Sequence, residues 1–166
     1  LRSNDNDHAL VLAAEQASPD GLTEICNWGM DGNMDTCQAV LVLTESRARA
    51  LNIKPTGTGV ALLQVDQNID VGFVQTLADG STDLALPLRG PFKRHRRLPY
   101  ETEIAAVQLA KAARLLPSAV VVRINDITAL NFSERKFLSV TTAQISNFET
   151  SVALSLRQIA EAPVPL

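Results

Sequence analysis

The chain has 166 residues, of which 46% are hydrophobic and 20% charged. That is enough apolar matter for one packed domain and too much for a disordered chain. A net charge of −3 excludes a general nucleic-acid binder, because phosphate contact needs a positive field. Two His and two Cys exclude a His- or Cys-rich metal cage and a disulfide scaffold, and leave carboxylate sites for hard metals.

Cys26 and Cys37 read as thiols in a reducing compartment. No apolar run approaches the ~20 residues needed to span a bilayer. Leu1 to Asp7 carries neither a signal-peptide core nor an initiator Met. The expectation is a cytoplasmic domain, trimmed at its start or cut from something longer.

His8 to Ala14 is short and almost wholly apolar and predicts a buried strand. Ser18-Pro19-Asp20 predicts a helix start: hydroxyl cap, Pro at the first position, acid against the positive end of the dipole. That helix should run to about Trp28, before a turn-rich loop from Gly29 to Asp35. Gln38 to Leu43 predicts a second strand, Thr44 caps a short helix ending near Asn52, and Val60 to Val65 predicts a third strand. Asp70 to Leu77 fits a helix or a strand, and Ala85 to Leu88 a short strand. Glu101 to Leu115 is the best helix, with Ile104, Val107 and Leu115 at helical spacing and Pro117 beyond its end. Ala119 to Ile124, the most β-branched stretch, predicts a central strand. Phe137 to Val140 predicts another strand, Thr141 or Thr142 caps a helix to about Phe148, and Val152 to Ala162 fits a last strand. The alternation predicts an α/β fold: α+β layers with a mixed β-sheet covered by helices.

Few motifs carry chemistry. Lys93-Arg94-His95-Arg96-Arg97 is either an anion site or a solvated loop. Asp5, Asp7 and His8 would make a small metal site only with further ligands. Gly57-Thr58-Gly59 lacks the Gly-Lys-Ser/Thr of a P-loop and reads as a turn. With His8 and His95 both in apparent loops, no catalytic triad stands out.

Several segments, in order, resemble the 3,4-dihydroxy-2-butanone 4-phosphate synthase family of riboflavin biosynthesis. Leu10 to Glu15 reads Leu-Val-Leu-Ala-Ala-Glu against that family's Leu-Val-Met-Ala-Ala-Glu. Ser18-Pro19-Asp20 stands for its Thr-Pro-Glu, and Leu43 to Ile53 for its Leu-Thr-Glu-Glu-Arg-Ala-Asp-Arg-Leu-Gly-Leu. Leu86-Pro87-Leu88-Arg89 matches Phe-Pro-Leu-Arg, and Ala105 to Ala110 matches Ala-Ala-Val-Asp-Leu-Ala. Pro117 to Val120 follows at the spacing of Pro-Ala-Gly-Val. Leu156 to Leu166 resembles the joint to GTP cyclohydrolase II in bifunctional enzymes, so the resemblance implies a synthase-like domain over 1–162 and a linker from 163–166.

The resemblance implies Mg²⁺ held by carboxylates, ribulose 5-phosphate as substrate, and a homodimer. The functional positions depart from the pattern. Asn4-Asp5-Asn6-Asp7-His8-Ala9 stands where the family has Arg-Glu-Asn-Glu-Gly-Asp, and shortened carboxylates suit octahedral Mg²⁺ poorly. Thr102, or Glu101 with a one-residue shift, stands at the metal-binding His, and Arg123 stands at a catalytic Glu. A guanidinium cannot serve as a base.

Three functions follow. One is a domain with lost catalytic residues that supports or dimerises a fused GTP cyclohydrolase II. The second is an active Mg²⁺-dependent lyase, with Asp5, Asp7 and Glu101 or Glu103 on the metal and Arg94, Arg96 and Arg97 on the substrate phosphate. The third is a nucleotide- or flavin-binding regulatory module using residues 93–97. No nucleic-acid or membrane partner is expected.

Overall fold

The computed structural model describes residues 1–3, 7–28, 38–54, 56–65, 70–81, 83, 92–124 and 137–155. Strand β1 spans His8–Ala13, followed by a 3₁₀ turn at Ala14–Gln16 and helix α1 at Pro19–Trp28. Then come β2 (Val40–Thr44), α2 (Glu45–Ala50), β3 (Val60–Gln64) and α3 (Val71–Ala78). Helix α4 (Glu101–Ala112), β4 (Ser118–Ile124) and α5 (Thr142–Ser155) complete the order.

The strands form one sheet in the order β1-β4-β2-β3. All three ladders are antiparallel, and among the described residues the parallel component is one isolated bridge between Arg2 and Thr141. β4 lies between two neighbours: Val121 sits opposite both Val11 and Val40. Strand alternation splits its side chains between two cores. Val120 and Val122 join Leu41, Leu43 and Leu63 under α1 and α3, whereas Ala119 and Val121 join Val40, Val42 and Leu62 under α4. The α/β layered class is therefore as the alternation predicts.

Local chemistry sets the helix ends. Ser18 Oγ accepts the Gly21 N–H at 3.1 Å, Thr44 Oγ1 the Arg47 N–H at 3.2 Å, and an Asp70 carboxylate oxygen the Phe73 N–H at 3.2 Å. The Asp70 cap decides the ambiguous 70–77 stretch as a helix. α2 closes on Asn52 at φ 59°, where a short polar residue tolerates the left-handed region.

Four expectations change. α4 ends at Ala112, because Arg114 at φ 58° turns the chain before Leu115. Residues 137–140 form no strand; Val140 instead accepts the Arg2 N–H at 3.1 Å. α5 runs seven residues past Phe148 to Ser155, so Val152 to Ser155 is helical, not a last strand: the helix capped by Thr141 continues through them. His8 and His95 do not sit in free loops: His8 opens β1, and the His95 N–H donates to Leu62 O at 2.9 Å. The loop at Gly29 to Asp35, the strand at Ala85 to Leu88, the match at Leu86 to Arg89, Cys37 and the 163–166 linker lie outside the described residues.

Candidate functional site

Three residues singled out by the family motif meet at one end of the sheet. Asp7 precedes β1, Arg123 lies near the end of β4, and Thr102 opens α4. Antiparallel pairing of β1 with β4 places Ala9 opposite Arg123 and so brings Asp7 within reach. Arg123 Nε and a terminal nitrogen both lie 2.8 Å from Asp7 Oδ1. Thr102, fully buried, donates to Asp7 Oδ2 at 3.2 Å. Both carboxylate oxygens are thus engaged.

A second ion pair sits beside the first. Arg97 donates two hydrogen bonds to Glu103, at 2.8 and 2.5 Å. Glu103 is wholly buried and also accepts the Tyr100 backbone N–H at 2.8 Å. Its partner carboxylate raises the Arg97 pKa, so the guanidinium stays charged. The Tyr100 ring lies between the two cations: Arg123 is 3.8 Å and Arg97 4.5 Å from its centroid.

Glu101 points elsewhere. Ser3 Oγ donates to its carboxylate and lowers its pKa. The basic run is not a free loop: Arg94 bridges to Leu63, and Gln64 N–H donates to Lys93 O at 2.9 Å, so the run extends the outer edge of β3. Arg96 is exposed, and the buried Nε of Arg94 has no hydrogen-bond partner.

These placements bear on a metal. Asp5 lies outside the described residues. His8 is buried in β1. Among the described residues, no three His, Cys, Asp or Glu side chains gather around a common point. Asp7 already has a cation in Arg123, and Glu101 and Glu103 have hydrogen-bonding partners of their own. Among the described residues this donor set does not fit Mg²⁺, which demands several anionic or water oxygens in octahedral array.

The sequence reading singled out Asp7, Thr102, Arg123 and Arg97 but missed Glu103 as Arg97's partner and Tyr100 as the spacer. The signal was present in Tyr100-Glu101-Thr102-Glu103, where an acid three residues into a helix reaches back to the N-terminal N–H.

With this geometry, the architecture is that of 3,4-dihydroxy-2-butanone 4-phosphate synthase. The solved Candida albicans enzyme of that name superposes with a TM-score of 0.58 at 17% identity, over 87% of this chain and 85% of that one. A two-domain 3,4-dihydroxy-2-butanone 4-phosphate synthase from A. baumannii aligns over 92% of this chain and 48% of its own, at 18% identity and TM-score 0.45. In sequence, the chain is 34% identical over 130 residues to GTP cyclohydrolase-2 of Azospirillum brasilense, which is 76% of this chain and 34% of that protein. The chain thus spans about a third of the curated relative it matches. No protein-family model matches it.

Proposed function

We propose that this is a synthase-fold domain of a riboflavin-biosynthesis protein that has lost lyase chemistry and supports a fused GTP cyclohydrolase II. The synthase fold and the sequence likeness to a GTP cyclohydrolase-2 support the setting. One observation carries the loss of chemistry: Arg123 and Thr102 close both oxygens of Asp7. Abstraction of a proton from a sugar phosphate needs a basic group free to accept it. Here the carboxylate is held by a permanent cation, and the motif's second carboxylate position on β4 is that same cation. What remains is a packed sheet covered by helices on both faces.

The test is incubation of the domain and of the full-length protein with ribulose 5-phosphate and Mg²⁺, following formate. The expected rate is background; ready turnover would sink the proposal. Its supporting role predicts that deleting the domain from the full-length protein lowers cyclohydrolase activity or soluble yield.

A second reading has one observation of its own. The unpartnered Arg94 Nε and exposed Arg96 leave guanidinium donors for a nucleotide or flavin phosphate. Arg97 drops out of that set, since Glu103 holds it. Thermal stabilisation by GTP or flavin mononucleotide, lost in Arg94→Ala, would favour this reading over the first.

A further inference from the structure

The cation that meets Asp7 belongs to the chain itself. Arg123 Nε and a terminal nitrogen converge on Asp7 Oδ1, each at 2.8 Å, so the edge of the guanidinium faces the carboxylate. Arg123 Cζ also lies over the Tyr100 ring, 3.8 Å from its centroid and in van der Waals contact. One cation thus touches an anion and an aromatic ring together. In that seat Arg123 joins three elements: Asp7 ahead of β1, its own β4, and the start of α4 through Tyr100 and Thr102.

This environment selects one kind of cation. A guanidinium is planar, delocalised and weakly hydrated, so it can hydrogen-bond along its edge while resting on an aromatic ring. Mg²⁺ needs oxygens in octahedral array and gives up water reluctantly. At the position of Arg123 Cζ, one side is ring carbon, which supplies no oxygen. Charge points the same way. Asp7 and Glu103 face Arg123 and Arg97, two anions against two cations. Glu103 raises the Arg97 pKa and Asp7 adds to the effect, so the four charges act as one neutral cluster. A divalent cation would bring two charges with nothing to balance them.

We infer that the space between Asp7, Thr102 and the Tyr100 ring is a site for a planar, guanidinium-type cation, filled by the chain's own Arg123, and does not take a divalent metal. An internal cation here does the joining that a shared metal ion would do. The inference rests on the same Asp7 contacts as the loss of lyase chemistry, but the two fail separately. Turnover of ribulose 5-phosphate sinks that reading, and a metal at Asp7 sinks this one. The Arg123 side chain is 38% exposed. Truncating it opens the seat to solvent and leaves Thr102 as the remaining described partner of the Asp7 carboxylate. A free guanidinium then meets the same anion and the same ring.

The experiment titrates the wild-type chain and Arg123→Ala with methylguanidinium, Mg²⁺ and Mn²⁺, with sodium chloride at matched ionic strength as control. Tyr100 is the one tyrosine of the sequence, so its ring proton resonances report the site directly, and a paramagnetic Mn²⁺ at Asp7 would broaden them. Melting temperature is the second readout. Arg123→Ala should melt below the wild type. Millimolar methylguanidinium should shift the Tyr100 resonances saturably in Arg123→Ala and raise its melting temperature, with no effect on the wild type. Adding Asp7→Asn should weaken that binding roughly tenfold, because a charge-assisted hydrogen bond is lost. Mg²⁺ and Mn²⁺ should move neither protein beyond the control. Arg123→Lys keeps the charge without the plane and should melt near Arg123→Ala. One Mn²⁺ bound by the wild type and lost in Asp7→Asn overturns the inference. So does an Arg123→Ala chain that takes up either metal, or that ignores methylguanidinium. If Arg123→Ala fails to fold, the wild-type Mn²⁺ titration and Arg123→Lys decide the matter, and Arg123→Lys melting with the wild type overturns the inference.

Discussion

Arg97 and Glu103 show how one buried charge governs its neighbourhood. Glu103 is wholly buried, and among the described residues its one cation is Arg97, whose side chain is 29% exposed. Removing the cation leaves a buried carboxylate with only the Tyr100 N–H, and breaking such pairs costs about 3–5 kcal/mol. Arg97→Met should therefore lower the urea midpoint sharply, whereas Arg97→Met with Glu103→Leu should recover much of the loss, because no charge is then stranded. Equal loss in both variants would show that packing, not charge, sets the cost. Acid stability draws on other contacts, two of them as follows. The Ser3 hydroxyl lowers the Glu101 pKa and the Arg47 guanidinium lowers that of Asp83. A carboxylate depressed in the folded state stabilises above its unfolded pKa, and that contribution is lost as pH falls through the folded value. Melting temperature should be level near neutrality and decline below the ordinary carboxylate range. Ser3→Ala should make the acid-side decline shallower, since less depression is left to lose. At this scale the sequence was informative where the family motif pointed, at Asp7, Thr102 and Arg123. It was silent on their mutual bonding, which depends on β1 and β4 pairing across more than a hundred residues.

The elements are held at their ends more than by their own propensity. α3 is eight residues long, too short to persist alone. Arg47, from α2, caps it: its Nε and terminal nitrogens donate to the carbonyls of Leu77 at 2.7 Å, Thr76 at 3.0 Å and Asp79 at 2.9 Å, and to Asp83. A cation at a helix C-terminus satisfies orphan carbonyls and meets the negative end of the dipole. Arg47→Ala should cost about 3 kcal/mol, on the scale of hydrogen bonds to a charged donor. Thr44→Ala, which removes only an N-cap, should cost about 1 kcal/mol. Hydrogen exchange in α3 should accelerate in the first variant and not in the second. This also explains which elements were legible. Ser18-Pro19 and Thr44 are local signals and fixed α1 and α2 from sequence. The 70–77 stretch was ambiguous because, beyond its Asp70 cap, the partner that closes its C-terminal end, Arg47, lies 30 residues from Leu77. Val152 and Leu154 pointed toward a strand, but they extend a helix already nucleated at Thr141, and both are exposed there, at 42% and 83%.

At the scale of the whole molecule, one sheet serves two cores. The stretch Ala119 to Val122 was legible as central because it is apolar on both faces, and its register does place it between β1 and β2. The consequence is mechanical: neighbouring residues of one strand pack into different layers, so neither layer can open without distorting the other. Leu43 is fully buried under the α1 and α3 layer, and Leu62 is fully buried under α4. Truncating either to Ala removes buried methyl groups and leaves a cavity, at a cost of about 2–5 kcal/mol. Trp28 packs against the first layer, and its fluorescence reports that layer alone, whereas far-ultraviolet circular dichroism reports the whole chain. In Leu43→Ala and Leu62→Ala alike, the two signals should trace one urea transition with one midpoint. In Leu62→Ala the fluorescence midpoint should fall although Trp28 lies across the sheet from the cavity. A fluorescence midpoint that stayed at the wild-type value while dichroism fell would mean that the α4 layer unfolds by itself. The ion-pair cluster at Asp7, Thr102, Arg123 and Tyr100 would then be holding α4 to the sheet less firmly than its bonding indicates.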